Sequence, residues 1–121
     1  MRAMTLISGL ALGGVVVVAL AKAAPAAAQS FDCRDSGMAS ERAVCGSDRL
    51  SGLDERMTGL YASLMAALNT DRQRESLRGY QLRFLAARNR CGRDTGCIKG
   101  AYLDQIEVLS ARLRVAETDR D

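Results

Sequence analysis

The 121-residue chain has no histidine, no tryptophan and a single proline, Pro25. Without imidazole there is no Ser/His or Cys/His catalytic pair and no mixed Cys/His zinc site. Four cysteines are present, at Cys33, Cys45, Cys91 and Cys97, and none is spaced as CxxC, the spacing of zinc ribbons and redox pairs. The carboxylates fall singly or side by side, as Asp54 and Glu55 do, and not as two acids opposed across a cleft. The chain is therefore expected to be no enzyme and to hold neither a metal nor a cofactor.

One segment stands apart from the rest. Residues 5–21 (TLISGLALGGVVVVALA) carry no charge, follow Arg2, and lead into KAAPAAAQS, where Ala26-Ala27-Ala28 has the small residues that signal peptidase needs. The run is Gly-rich and short for a membrane span of about 20 residues. Residues 1–28 thus read as a secretory signal cleaved after Ala28, leaving no stable membrane anchor and a periplasmic or secreted bacterial protein. With no cysteine at that point, there is no lipid attachment site. Removing this segment takes away Arg2 and Lys22, so the net charge falls from +3 to +1 on the remaining 93 residues. A near-neutral domain is not expected to bind nucleic acid, which requires many phosphate-neutralising cations.

An even cysteine count in a small exported domain implies a disulfide framework. Four cysteines allow three pairings. The sequence-local pairs Cys33–Cys45 and Cys91–Cys97 are expected, each closing a short loop worth about 2–3 kcal/mol in the chain-entropy account. Such staples matter in a domain whose core is small.

The chain from 29 to 115 reads as all-α. Residues 29–39 are polar and irregular, and Ser40 is placed to cap a short helix, ERAVC, that stops at Gly46. Ser47 opens a long helix with Leu50, Leu53, Met57, Leu60, Tyr61, Leu64 and Leu68 at spacings of three and four. About 22 residues of helix would span roughly 33 Å. Thr70 and Gln73 form a capping box for the next helix, whose inner face carries Leu77, Tyr80, Phe84 and Cys91. After the Gly-rich turn CGRDTGC, with Asp94 or Thr95 as cap, the last helix carries Ile98, Tyr102, Ile106, Leu109 and Leu113. Residues 116–121 read as a frayed tail. The expected fold is an antiparallel three-helix bundle with a short N-terminal helix, stapled by two disulfides.

Helical geometry singles out one polar pair. With Leu77 at zero and steps of about 100°, Arg88 lies about 20° from Leu77, on the core face. A charge there needs a partner. Folding the long helix back at residues 69–71 brings position 54 near positions 86–88, so an Asp54–Arg88 ion pair is expected, roofed by Tyr102. On the same wheel Arg72, Arg83 and Arg90 form an outward stripe, read either as a solvated helix face or as a contact for an anionic partner.

These residues carry a wider pattern: FDC, ERAVC, LSGLD and Tyr61 in the first half, then Gln81, Phe84, Leu85, Arg88 and Cys91 followed by Cys97, Tyr102, Ile106 and Leu109. The pattern resembles the LprI-type lysozyme-inhibitor domain family over about residues 31–113. Two positions depart from it, Phe84 where the family usually has tryptophan and Gln105 where it often has arginine. The resemblance implies a small exported helical domain whose motif polar residues, Asp54, Tyr61, Gln81, Arg88 and Tyr102, engage a partner or tie helices together. It also implies a protein partner, a lysozyme. Lysozyme clefts contain carboxylates, so an inhibitor can plug the cleft and pair an arginine with the catalytic acid. Arg93 on the Cys91–Cys97 turn and Arg34 in the N-terminal loop are the candidates. The other reading is an envelope interaction or assembly domain with no lysozyme target. Oligomeric state is left open.

Overall fold

A computed structural model describes residues 31–120 as four helices. The proposed signal at residues 1–28 lies outside the described residues. Helix α1 spans Ala39–Cys45, α2 Asp48–Ala67, α3 Asp71–Arg90 and α4 Thr95–Thr118. Their starts follow the local chemistry. Ser47 accepts from the Leu50 N–H, and Thr70 and Gln73 make the reciprocal capping box. Asp94 accepts from the Cys97 N–H at 3.0 Å and so caps α4. Between α3 and α4, Gly92 takes φ 58°, the left-handed conformation that only glycine adopts without strain.

The core joins one face of each helix. Val44 of α1, Leu50, Met57 and Leu64 of α2, Leu77 and Phe84 of α3, and Ile98, Tyr102, Ile106 and Leu109 of α4 form one buried cluster. Near one end the first turns of α2 and α4 meet the last turns of α3, as Asp54, Tyr102 and Arg88 do. At the other end Leu64, Leu77 and Val115 border one groove. Helix α3 therefore runs antiparallel to α2 and α4, which are parallel and make the most extensive helix pair. Both local disulfides are present, Cys33–Cys45 and Cys91–Cys97. The first ties the N-terminal loop to α1, and the second ties the α3–α4 turn to the first turn of α4.

Three sequence expectations are corrected. Helix α1 begins one residue before Ser40, with Met38 at the N-cap and no side-chain cap. Ser40 is buried inside the helix because its hydroxyl donates to Asn89 Oδ1 at 2.9 Å. Helix α2 is 20 residues long, not 22. The tail is helical to Thr118, with Ala116 packed against the core and the Thr118 hydroxyl donating to the Arg114 carbonyl at 2.9 Å.

Candidate functional site

The last turns of α3 carry Arg88 into the interior, where only 2 % of it is exposed. Asp54, fully buried, faces it from the second turn of α2, with Arg88 Nη1 and Asp54 Oδ1 4.0 Å apart. Tyr102 of α4 bridges them. Its hydroxyl donates to Asp54 Oδ1 at 2.8 Å and accepts from Arg88 Nη1 at 3.3 Å. Burial, then the neighbouring Asp54 carboxylate, pushes the Tyr102 phenol above its ordinary value of 10.0. Phe84 packs beside Tyr102 with ring centroids 5.3 Å apart, where the resemblance put tryptophan.

The rest of the guanidinium turns toward the N-terminal segment. Asn89 Oδ1 accepts from Arg88 Nε at 3.2 Å and from Nη2 at 2.9 Å. Glu41 Oε1 lies 3.5 Å from Nη2, and the Phe31 ring centroid lies 5.0 Å from Arg88 Cζ. Arg88 thus joins α2, α3, α4, α1 and the loop before α1. Its planar fork suits several acceptors at once, a role that a lysine could not take.

The other motif residues are also used within the fold. Gln81 places Nε2 3.1 Å from Met57 Sδ, and its Oε1 accepts from Gln105 Nε2 at 2.9 Å. Tyr61 is half-buried against the core. Gln105 is buried and was not among the expected site residues. Its spacing of three from Tyr102 on the inner face of α4 was the available signal. Asn89, Ser40, Glu41 and Phe31 were also missed. For Ser40 and Glu41, the spacing of Ser40 to Val44 on one face of α1 was the only hint.

The candidate contact residues lie outside this cluster. Arg34 and Arg93 are exposed on the two disulfide-closed loops, which share one end of the bundle. Arg34 also lies 3.5 Å from Asp32 at the surface. Arg72, Arg83 and Arg90 are exposed along α3. Arg83 stacks over Tyr80, 5.5 Å from its ring centroid. Among the described residues, no His/Cys/Asp/Glu group could hold a metal ion, and no helix is long and apolar enough to cross a membrane. No protein family, curated protein or solved structure matches the chain.

Proposed function

We propose that the chain is an exported, non-catalytic binding domain that blocks a peptidoglycan-cleaving lysozyme by non-covalent occlusion. The observation that carries this reading is a division of labour. The motif's buried polar residues are spent on internal contacts, whereas both stapled loops present an exposed arginine, Arg34 and Arg93, at the same end. A stapled loop loses little conformational entropy on binding, and a guanidinium pairs well with a cleft carboxylate. The two disulfides fit an oxidising compartment, which in this reading is the periplasm or the exterior, reached through a signal at residues 1–28.

A second reading, an envelope assembly domain with no lysozyme target, is favoured by the exposed arginines along α3. A net charge of +1 after signal removal also gives no long-range steering toward basic lysozymes. A lysis assay separates the two readings, using the protein purified after expression of the full-length chain. Inhibition of at least one lysozyme type is expected at micromolar protein. Arg34→Ala with Arg93→Ala should weaken that inhibition by about tenfold, the loss of roughly one charge-assisted bond, with an unchanged circular dichroism spectrum. No inhibition of any lysozyme type would sink the first reading. A pull-down from the envelope of the source cell would then identify the partner of the second.

A further inference from the structure

Among the described residues, the end of the bundle opposite the disulfides is open. There the last turns of α2 and α4 and the first turns of α3 enclose a groove of about 590 Å³. Leu64 and Leu77 are buried at its base, and Val115 stands at its edge, 61 % exposed. Three charged side chains border it: Arg72, Arg112 and Asp119. Among the described residues neither arginine has an ion pair. The carboxylates on this part of α3 are engaged elsewhere, Asp71 by Arg74 and Glu75 by Arg78. Arg112 is held beside the groove by Tyr80, whose ring centroid lies 4.6 Å from its Cζ.

We propose that this groove binds a single-chain amphiphilic anion, an aliphatic chain ending in a carboxylate or phosphate. The chain lies along Leu68, Ala111, Val115 and Ala116, above the buried Leu64 and Leu77, and the head group sits on Arg72 and Arg112. The volume falls in the range of small-ligand sites, about 300–1,000 Å³. The apolar lining supplies a hydrophobic driving force without direction. The border supplies the sign of charge. Two guanidiniums against one carboxylate leave the mouth positive, and an oxyanion there makes charge-assisted bonds that a neutral head group cannot. The proposal concerns the opposite end from the loops of the inhibitor reading, so each stands or falls alone.

The test is calorimetric titration of the same purified protein with dodecanoate and dodecyl phosphate, both below their micelle concentrations. Dodecyl maltoside serves as the neutral comparison. Saturable binding of either anion is expected, with the neutral amphiphile weaker by about tenfold or more. Arg72→Ala with Arg112→Ala should weaken anion binding by about tenfold. Val115→Glu, at an exposed position that folding tolerates, should do the same. Arg90→Ala with Arg93→Ala removes the same two charges at the opposite end of the bundle, outside the groove, and should leave affinity within about twofold. Equal binding of the neutral amphiphile, or equal loss in the Arg90/Arg93 variant, overturns the proposal. So does binding to anionic phospholipid vesicles without binding to either monomeric anion. Sedimentation showing a dimer that Val115→Glu dissociates assigns the groove to a second copy of the chain and overturns it as well.

Discussion

Neither Asp54 nor Arg88 could be buried alone, because the solvation lost by an isolated charge far exceeds what packing returns. They are buried together, with Tyr102 between them and Asn89 and Glu41 on the far side of the guanidinium. Asp54→Ala should therefore cost about 3–5 kcal/mol, chiefly by leaving Arg88 underpaired. Arg88→Met removes the stranded charge, so Asp54→Ala with Arg88→Met should cost at least about 1 kcal/mol less than the sum of the single changes. Urea denaturation of the four proteins measures this coupling, and strict additivity would refute it. Tyr102 makes the same cluster sensitive to alkali. Its native pKa is raised, so the folded state holds the phenolic proton more tightly than the unfolded state. That contribution is fully present below pH 10.0 and is lost as pH rises above it, toward the raised native value. Stability should fall above pH 10.0, and Tyr102→Phe should show a shallower fall at the cost of a lower neutral-pH stability. An identical slope in the variant would show that other groups control the alkaline limb. Of this cluster, Asp54, Arg88 and Tyr102 were legible in the sequence because each sits at a fixed angle on a long regular helix. Phe31, Ser40, Glu41 and Asn89 were not. The first three belong to an irregular segment and a seven-residue helix, whose docking is set by tertiary contacts and by the Cys33–Cys45 bond, and Asn89, though on α3, finds its distant partner Ser40 on that same short helix.

The helices differ in how plainly their ends are written. Ser47, the Thr70/Gln73 box and Asp94 mark their helix starts because each oxygen has a free N–H within local reach. Ser40 has the same chemistry but a better partner in Asn89, so local capping preference yields to a contact between distant segments. The C-terminal end of α4 was misread for a related reason. The segment after Ala116 (ETDRD) is polar, yet Ala116 itself packs against the core and the helix runs on to Thr118. Glycines give a direct comparison at this scale. Gly59 lies within α2, exposed, and a Cβ there would meet nothing within 4 Å. Gly59→Ala should stabilise by about 0.5–1 kcal/mol, because alanine loses less backbone entropy in a helix. Gly92 also has open space around it, but its φ of 58° is strained for any side chain. Gly92→Ala should destabilise by about 1–2 kcal/mol. Thermal melts should show the two shifts with opposite signs. Shifts of the same sign would mean that the turn around Gly92 relaxes at little cost.

At the scale of the molecule the bundle has two unlike ends. One is closed by both disulfides and the buried Asp54–Tyr102–Arg88 cluster, and the other opens into the apolar groove. The four-helix, two-disulfide architecture was legible because apolar spacing and cysteine position are local signals. The groove was not, because it exists only where the ends of three helices fail to meet. The asymmetry has a thermodynamic consequence. A domain of about 90 residues has a total stability of roughly 5–13 kcal/mol. Loops closed over sequence separations of 12 and 6 are each worth about 2–3 kcal/mol. Reduction therefore removes a large share of the total. It should also free the segment whose Phe31 ring covers Arg88 and so admit water to the guanidinium. Dithiothreitol should lower the melting temperature by about 20 °C or more, at about 4–8 °C per kcal/mol for a domain of this size. Separate Cys33→Ser/Cys45→Ser and Cys91→Ser/Cys97→Ser variants should divide that loss. The first should lose more, since it closes the longer loop and holds the N-terminal segment over the guanidinium. If the reduced protein melts within about 5 °C of the oxidised one, less than the effect of a single such bond, the packed helices alone hold the fold. The closed end would then owe its order to the buried cluster and not to the staples.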